Sequence, residues 1–188
     1  MRAFLGIALS NDTRISLERL QHALASADAD VKWVEPAHLH VTLKFLDEIS
    51  EDQRYKVETM VGEIARRETP FTMRLERIGA FPSLQAPRVL WVGMTDGQDI
   101  TRRLAEAIER EGAARGLRKE ERPFSAHVTM GRVRSPRRRE ALVQRLRETT
   151  WDAPAPWRVT SVIFYQSVLS PTGSHYTVLA EIPLGGSA

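Results

Sequence analysis

Residues 37–46 read AHLHVTLKFL and residues 125–133 read SAHVTMGRV. Both carry the tripeptide His-Val-Thr, as His40-Val41-Thr42 and His127-Val128-Thr129, and in both a proline (Pro36, Pro123) stands four positions before the histidine. In an extended chain residues i and i+2 point to the same side. Each copy therefore offers one imidazole and one hydroxyl to a common face, with Val41 and Leu43, or Val128 and Met130, behind it. Two histidines across a groove are what in-line phosphoryl transfer needs. One imidazole takes a proton from the attacking oxygen and the other gives a proton to the leaving oxygen. Histidine suits both roles because its unperturbed pKa lies near neutrality. Thr42, Thr129 and a nearby arginine would hold the phosphoryl oxygens where charge develops. This chemistry requires no metal.

A single His-x-Thr in a strand is usually structural. The matched pair with its shared proline points to chemistry, because an unpartnered buried polar group costs on the order of 1–3 kcal/mol. A competing use of the same residues is zinc binding by His38, His40 and His127. No carboxylate in register supports that set, and it leaves the repeated threonines unexplained. His38 is read instead as exposed or structural. His22 falls in a helix and His175 in a turn, from which it reaches the groove if the last hairpin closes over it.

The elements that must position these residues follow from periodicity and breakers. Residues 4–9 read as a buried strand, and 13–27 have helical spacing through Ile15, Leu17, Leu20, Ala23 and Leu24. Segments 31–34 and 39–46 are strand-like. Ser50 caps a helix over 51–67, which stops before Pro70. Segment 71–78 alternates as a strand, GAFPSLQAPR is a loop broken by Pro82 and Pro87, and 89–94 is a short apolar strand. The second half echoes the first: an amphipathic helix over 100–114 ending at Gly116, a strand over 124–133, and a charged helix to Glu148. Ser135 and Pro136 sit at the cap and first residue of that last helix. Strands over 159–169 and 176–182 flank the turn SPTGS, and the tail GGSA is loose. The echo predicts an internal duplication, in which a pseudo-twofold axis brings the two His-Val-Thr strands together at the seam. Residues 1–188 then form a single bilobal domain.

The 188 residues are 42% hydrophobic and 27% charged, with a formal net charge of +3 and no cysteine. A chain of this length buries roughly 70% of its unfolded surface and needs no staples. The absence of cysteine excludes disulfides, thiolate nucleophiles and cysteine-ligated metals, and it fits a reducing cytoplasm. No apolar run is long enough to cross a bilayer. The start, MRAFLGIALSND, faintly imitates a signal peptide, but it runs into Asn11 and Asp12 and is better read as a first strand. Arginine dominates the basic residues and clusters, which suits an anionic partner.

On these residues the chain resembles the 2H phosphoesterase superfamily, defined by two His-x-Thr-x motifs. Within it the chain is similar to the bacterial and archaeal RNA 2',3'-cyclic phosphodiesterases, historically named 2'-5' RNA ligases (the LigT/ThpR family). The matching segments are VKWVEPAHLHVTLKFLDEI, GAFPSLQAPRVLWVGM and RPFSAHVTMGRVR. The resemblance implies an α+β fold with two antiparallel sheets flanking a central groove and helices outside. It implies His40 as general acid on the ribose 3'-oxygen, His127 as general base on water, Thr42 and Thr129 as phosphate binders, and a 2'-phosphate product. It further implies Arg132 as a phosphate ligand and Phe45 as a base-stacking residue, each five positions after a motif histidine. Strict alternation puts both on the wrong face. Arg132 reaches the groove only if the strand ends or bulges near Gly131.

The run RVRSPRRRE places Arg137, Arg138 and Arg139 in the first turn of the predicted helix, where cations oppose the helix dipole. With Arg134 they form either a solvated charged end or a track for an RNA backbone. The expected partners are RNA with 2',3'-cyclic phosphate ends, including tRNA fragments, or cyclic nucleotides. No cofactor, metal or membrane is expected, and the chain is expected to act as a cytoplasmic monomer. Two other readings stay open: 2'-5' ligation of tRNA halves in the same site, and a non-catalytic RNA-binding module.

Overall fold

A computed structural model describes residues 1–170 and 173–185. Pro171 and Thr172 of the predicted turn, and residues 186–188 of the predicted tail, lie outside the described residues. The elements run β1 (Arg2–Ala8), α1 (Asn11–Ala25), β2 (Val31–Trp33), a 3-10 turn (Pro36–His38), β3 (His40–Glu48) and α2 (Glu51–Ala65). They continue with β4 (Phe71–Phe81), β5 (Val89–Asp96), α3 (Gln98–Ala114), β6 (His127–Val133), α4 (Arg139–Glu148), β7 (Trp157–Val159), β8 (Ser161–Ser170) and β9 (Gly173–Pro183). The fold is α+β, as expected.

The strands pair antiparallel in the order β7-β4-β5-β6-β3-β1-β8-β9, with β2 added on β6. β7 and β8 are separated in sequence by Thr160 alone, yet they lie far apart along the sheet order. The sheet must therefore curl until its two ends approach. With β2 set aside, β1-α1-β3-α2 and β5-α3-β6-α4 follow the same order, and a His-Val-Thr tripeptide heads the second strand of each. One face of the sheet is apolar. It carries Leu5, Ile7, Val41, Leu90, Val92, Val128, Met130 and Phe164, each at most 1% exposed. The helices bury residues at helical spacing as part of the same core: Leu17, Leu20 and Leu24 of α1, Val57, Met60, Val61 and Ile64 of α2, and Leu104 and Ile108 of α3.

Local chemistry fixes the helix starts. Ser50 and Gln53 form a reciprocal capping box at α2. α1 begins before the predicted residue 13 because the Ser10 hydroxyl accepts from Thr13 N at 3.2 Å, and the polar first turn hides this from hydrophobic periodicity. α4 begins later than predicted. Arg138 adopts a left-handed conformation (φ 53°), and its Nε donates to Ala27 O at 2.9 Å. Arg139 N closes a turn onto Pro136 O at 3.1 Å. Arg137 and Arg138 thus precede the helix instead of occupying its first turn. β4 extends through Phe81 beyond the predicted end, β6 starts at His127, and His175 lies in β9 and not in a turn.

A buried ion pair ties β3 to α3. Lys44 is 5% exposed and donates to Glu109 and to Arg118 O at 2.8 Å. No helix among the described residues is long and apolar enough to cross a membrane.

Candidate active site

The two tripeptides meet where β3 and β6 touch, with Val41 opposite Val128. Both valines are fully buried in the core. Alternation then turns His40, Thr42, His127 and Thr129 together onto the other face. All four are half-buried.

The histidines are held alike. His40 Nδ1 lies 2.7 Å from His38 O, and His127 Nδ1 lies 2.7 Å from Ser125 O. A carbonyl only accepts, so each Nδ1 carries the proton and donates. Each Nε2 is left to exchange protons, as a lone pair in the neutral ring. His40 Nε2 sits 3.0 Å from the Thr42 hydroxyl. His38 thus serves the site through its carbonyl, while its own Nδ1 lies 3.6 Å from Glu35. Among the described residues no group of three His, Cys, Asp or Glu side chains is arranged to hold a metal ion.

Burial lowers the pKa of His40 below its ordinary 6.5. The hydrogen bond to His38 O opposes this, and the charges of His38 and His127 add to it. Burial also lowers His127, against the bond to Ser125 O, and the Arg132 guanidinium lowers it further. His40 therefore feels His127, and His127 feels Arg132, as groups sharing one space would.

β-Bulges resolve the alternation problem for Arg132 and Phe45. On β6, Thr129 pairs with Trp91 but Gly131 pairs with Leu90, so one extra residue enters β6 between them. Met130 and Gly131 are both buried, and Arg132 emerges exposed on the face of His127. β3 does the same. Thr42 pairs with Gly6, Lys44 with Leu5 and Phe45 with Phe4. Leu43 and Lys44 are both buried, and Phe45 returns to the face of His40 with 56% of its surface exposed. Gly131 is required at its bulge, since a Cβ there would come within 2.8 Å of Val31 Cγ1 and 3.0 Å of Trp33 Cε3.

Aromatic walls support both histidines, and sequence reasoning did not identify them. Phe4 lies 4.6 Å from the His40 ring, and Tyr176 stands edge-on to it at 5.4 Å. Phe81 stands edge-on to His127 at 5.2 Å, with Trp91 at 6.3 Å. Gly6 leaves room for this packing, because a Cβ would meet Val41 O at 2.8 Å and His40 Cδ2 at 3.5 Å. The available signal was parity: Phe4, Gly6 and Trp91 alternate with the buried Leu5, Ile7, Leu90 and Val92. The final hairpin does approach the site, with His175 6.1 Å from His38. His22 lies in α1.

The arginine cluster meets two carboxylates from the loop between α1 and β2. Arg134 pairs with Asp30 at 3.1 Å, and Arg137 with Asp28 at 3.5 Å. Arg138 lies 3.9 Å from Asp28. Arg139 is exposed in the first turn of α4.

The profile of the LigT-like phosphoesterase family matches residues 7–91 and again 92–176. A relative from Methanothermobacter thermautotrophicus, called RNA 2',3'-cyclic phosphodiesterase, is 35% identical over 94% of this chain and 95% of its own length. Among solved structures, TT0787 of Thermus thermophilus superposes with a TM-score of 0.80 at 27% identity, covering 100% of both chains. Escherichia coli LigT complexed with 3'-AMP superposes with a TM-score of 0.75 at 25% identity, covering 97% of both.

Proposed function

Because the chain belongs to the LigT-like phosphoesterase family, we propose that it hydrolyses RNA or nucleotide 2',3'-cyclic phosphates to 2'-phosphates by two-histidine acid–base catalysis. The observation that carries this reading is the pair of imidazoles on one face of the seam, each with Nδ1 tied to a backbone carbonyl and Nε2 left to act. His127 Nε2 takes a proton from water as it attacks phosphorus in line with the 3'-oxygen. The bond from phosphorus to that oxygen breaks, and protonated His40 donates from Nε2 to the departing oxygen. Thr42, Thr129 and Arg132 hold the equatorial oxygens, and the exposed Phe45 ring stacks on the base. The anionic phosphate favours the imidazolium and so offsets the lowering that burial imposes on His40.

We read residues 1–188 as one bilobal domain of two duplicated units. The repeated element order and the two consecutive profile matches support this. A chain without cysteine suits cytoplasmic action. Exposed ion pairs contribute only about 0–1 kcal/mol, so Arg134, Arg137 and Arg138 can exchange their carboxylate partners for an RNA backbone, which the exposed Arg139 extends.

The test is product analysis after incubation with an oligonucleotide ending in a 2',3'-cyclic phosphate, in EDTA. The expected product is a 2'-phosphate end. Activity lost in EDTA, a 3'-phosphate product, or binding without turnover would overturn the reading. Joined strands on supplying a 5'-hydroxyl fragment would assign ligation instead.

A further inference from the structure

A cavity of about 550 Å³ adjoins His40, a size that accommodates a small-molecule ligand. Its walls include His40, Arg14, Trp157, Tyr165, Tyr176 and Glu181, but neither Thr42 nor His127. It is therefore not the space between the two histidines, although it shares His40 and Tyr176 with the walls of that space. Arg14 Nε and Trp157 Nε1 are buried donors without a hydrogen-bond partner among the described residues. Buried donors are almost always paired, so two such groups around one cavity call for an acceptor-rich occupant. The opposite chemistry is also present. Glu181 accepts from the Ser161 hydroxyl at 2.9 Å and keeps acceptor capacity to spare. The phenol rings of Tyr165 and Tyr176 stand 6.3 Å apart, and lie 6.0 and 5.4 Å from the His40 ring.

Cationic and neutral N–H donors suit phosphate oxygens, aromatic faces suit a base, and a carboxylate suits a base's ring or exocyclic N–H. We propose that this cavity is a second nucleotide subsite, which takes the nucleotide preceding the cyclic-phosphate end of the same RNA strand, with its phosphate on Arg14 and its base along Tyr165 and Tyr176. The proposal rests on the reaction assigned to His40. It adds that the preferred substrate is a strand end and not a mononucleotide.

The test compares a nucleoside 2',3'-cyclic phosphate with a dinucleotide bearing the same end. kcat/KM for each is measured in wild type, Arg14→Gln, Arg14→Lys and Trp157→Phe, with thermal melts to confirm folding. Wild type should favour the dinucleotide by about tenfold or more, the scale of one charge-assisted hydrogen bond. Arg14→Gln should bring that ratio close to one, and Arg14→Lys, which keeps the charge but loses the fork, should fall between. Trp157→Phe, which removes the second unpaired donor, should also lower the ratio. Equal rates in wild type, or a ratio unchanged in Arg14→Gln, would overturn the proposal. So would stimulation or inhibition of mononucleotide turnover by added 5'-AMP without any dinucleotide advantage, which would assign the cavity to a free nucleotide. Calorimetric binding of unreactive 3'-phosphate-ended mono- and dinucleotides runs in parallel. If wild type turned over neither cyclic phosphate, the proposed reaction would fail, while the binding ratio would still decide the subsite.

Discussion

Val41 and Val128 face each other across the seam between β3 and β6, and this one pairing aligns the two halves of the site. Both valines are sealed in the core. The residues on either side of each valine are turned out, so two imidazoles and two hydroxyls converge without any loop having to place them.

The bulge at Gly131 sets the direction of Arg132. Gly131→Ala should push against Val31 and Trp33 and disturb that direction. We expect kcat/KM to fall at least tenfold, with a stability cost of about 1–3 kcal/mol from overpacking. Steady-state kinetics and a melting curve check this. A lower melting temperature with unchanged kinetics would separate the bulge from catalysis.

Burial disfavours the imidazolium of both histidines, so each needs a pH below 6.5 to charge in the free enzyme. kcat/KM reports the free enzyme, and its bell should centre below pH 6.5. kcat reports the bound complex, where the phosphate anion restores the imidazolium, and its bell should lie higher. The two limbs describe the coupled pair and not either residue alone. A kcat/KM optimum above pH 7 would contradict the assigned environment.

The sequence showed the tripeptides, their faces and their meeting at a seam, because alternation is a local property of extended chain. It also placed most helices and strands to within a few residues. It could not decide Arg132 or Phe45, because one inserted residue reverses the parity of everything after it, and only cross-strand pairing reveals the insertion. The carbonyls of His38 and Ser125 carry no side-chain signature at all. The start of α4 was misjudged because Arg138 is held by Ala27 O, a partner 111 positions away.

Phe45 has 56% of its surface exposed, so Phe45→Ala should change stability by no more than about 0.5 kcal/mol. If the ring stacks on a base, KM for a nucleoside 2',3'-cyclic phosphate should rise about 5- to 150-fold, the equivalent of the roughly 1–3 kcal/mol that stacking contributes. Turnover of ribose 2',3'-cyclic phosphate, which lacks a base, should change little. Equal loss on both substrates would reassign Phe45 to shaping the histidine site.

Glu109 neutralises the buried Lys44 ammonium between β3 and α3. Burial tends to raise the Glu109 pKa, but the bonds from Lys44 and Glu120 N prevail and hold it below its ordinary value. The contribution of this carboxylate should therefore be lost as pH falls through the lowered pKa. Glu109→Ala should cost about 2–3 kcal/mol by chemical denaturation at neutral pH, less than the loss of a fully buried pair. An unchanged midpoint would show that Arg118 O alone satisfies the ammonium.

The most direct test of the two-histidine account is turnover of a nucleoside 2',3'-cyclic phosphate in EDTA by wild type, His40→Ala and His127→Ala. General acid and general base each contribute about 10²–10⁴, so each variant should lose at least a hundredfold in kcat while melting like the wild type. Either variant turning over at a near wild-type rate, or wild-type activity that vanishes in chelator, would contradict it.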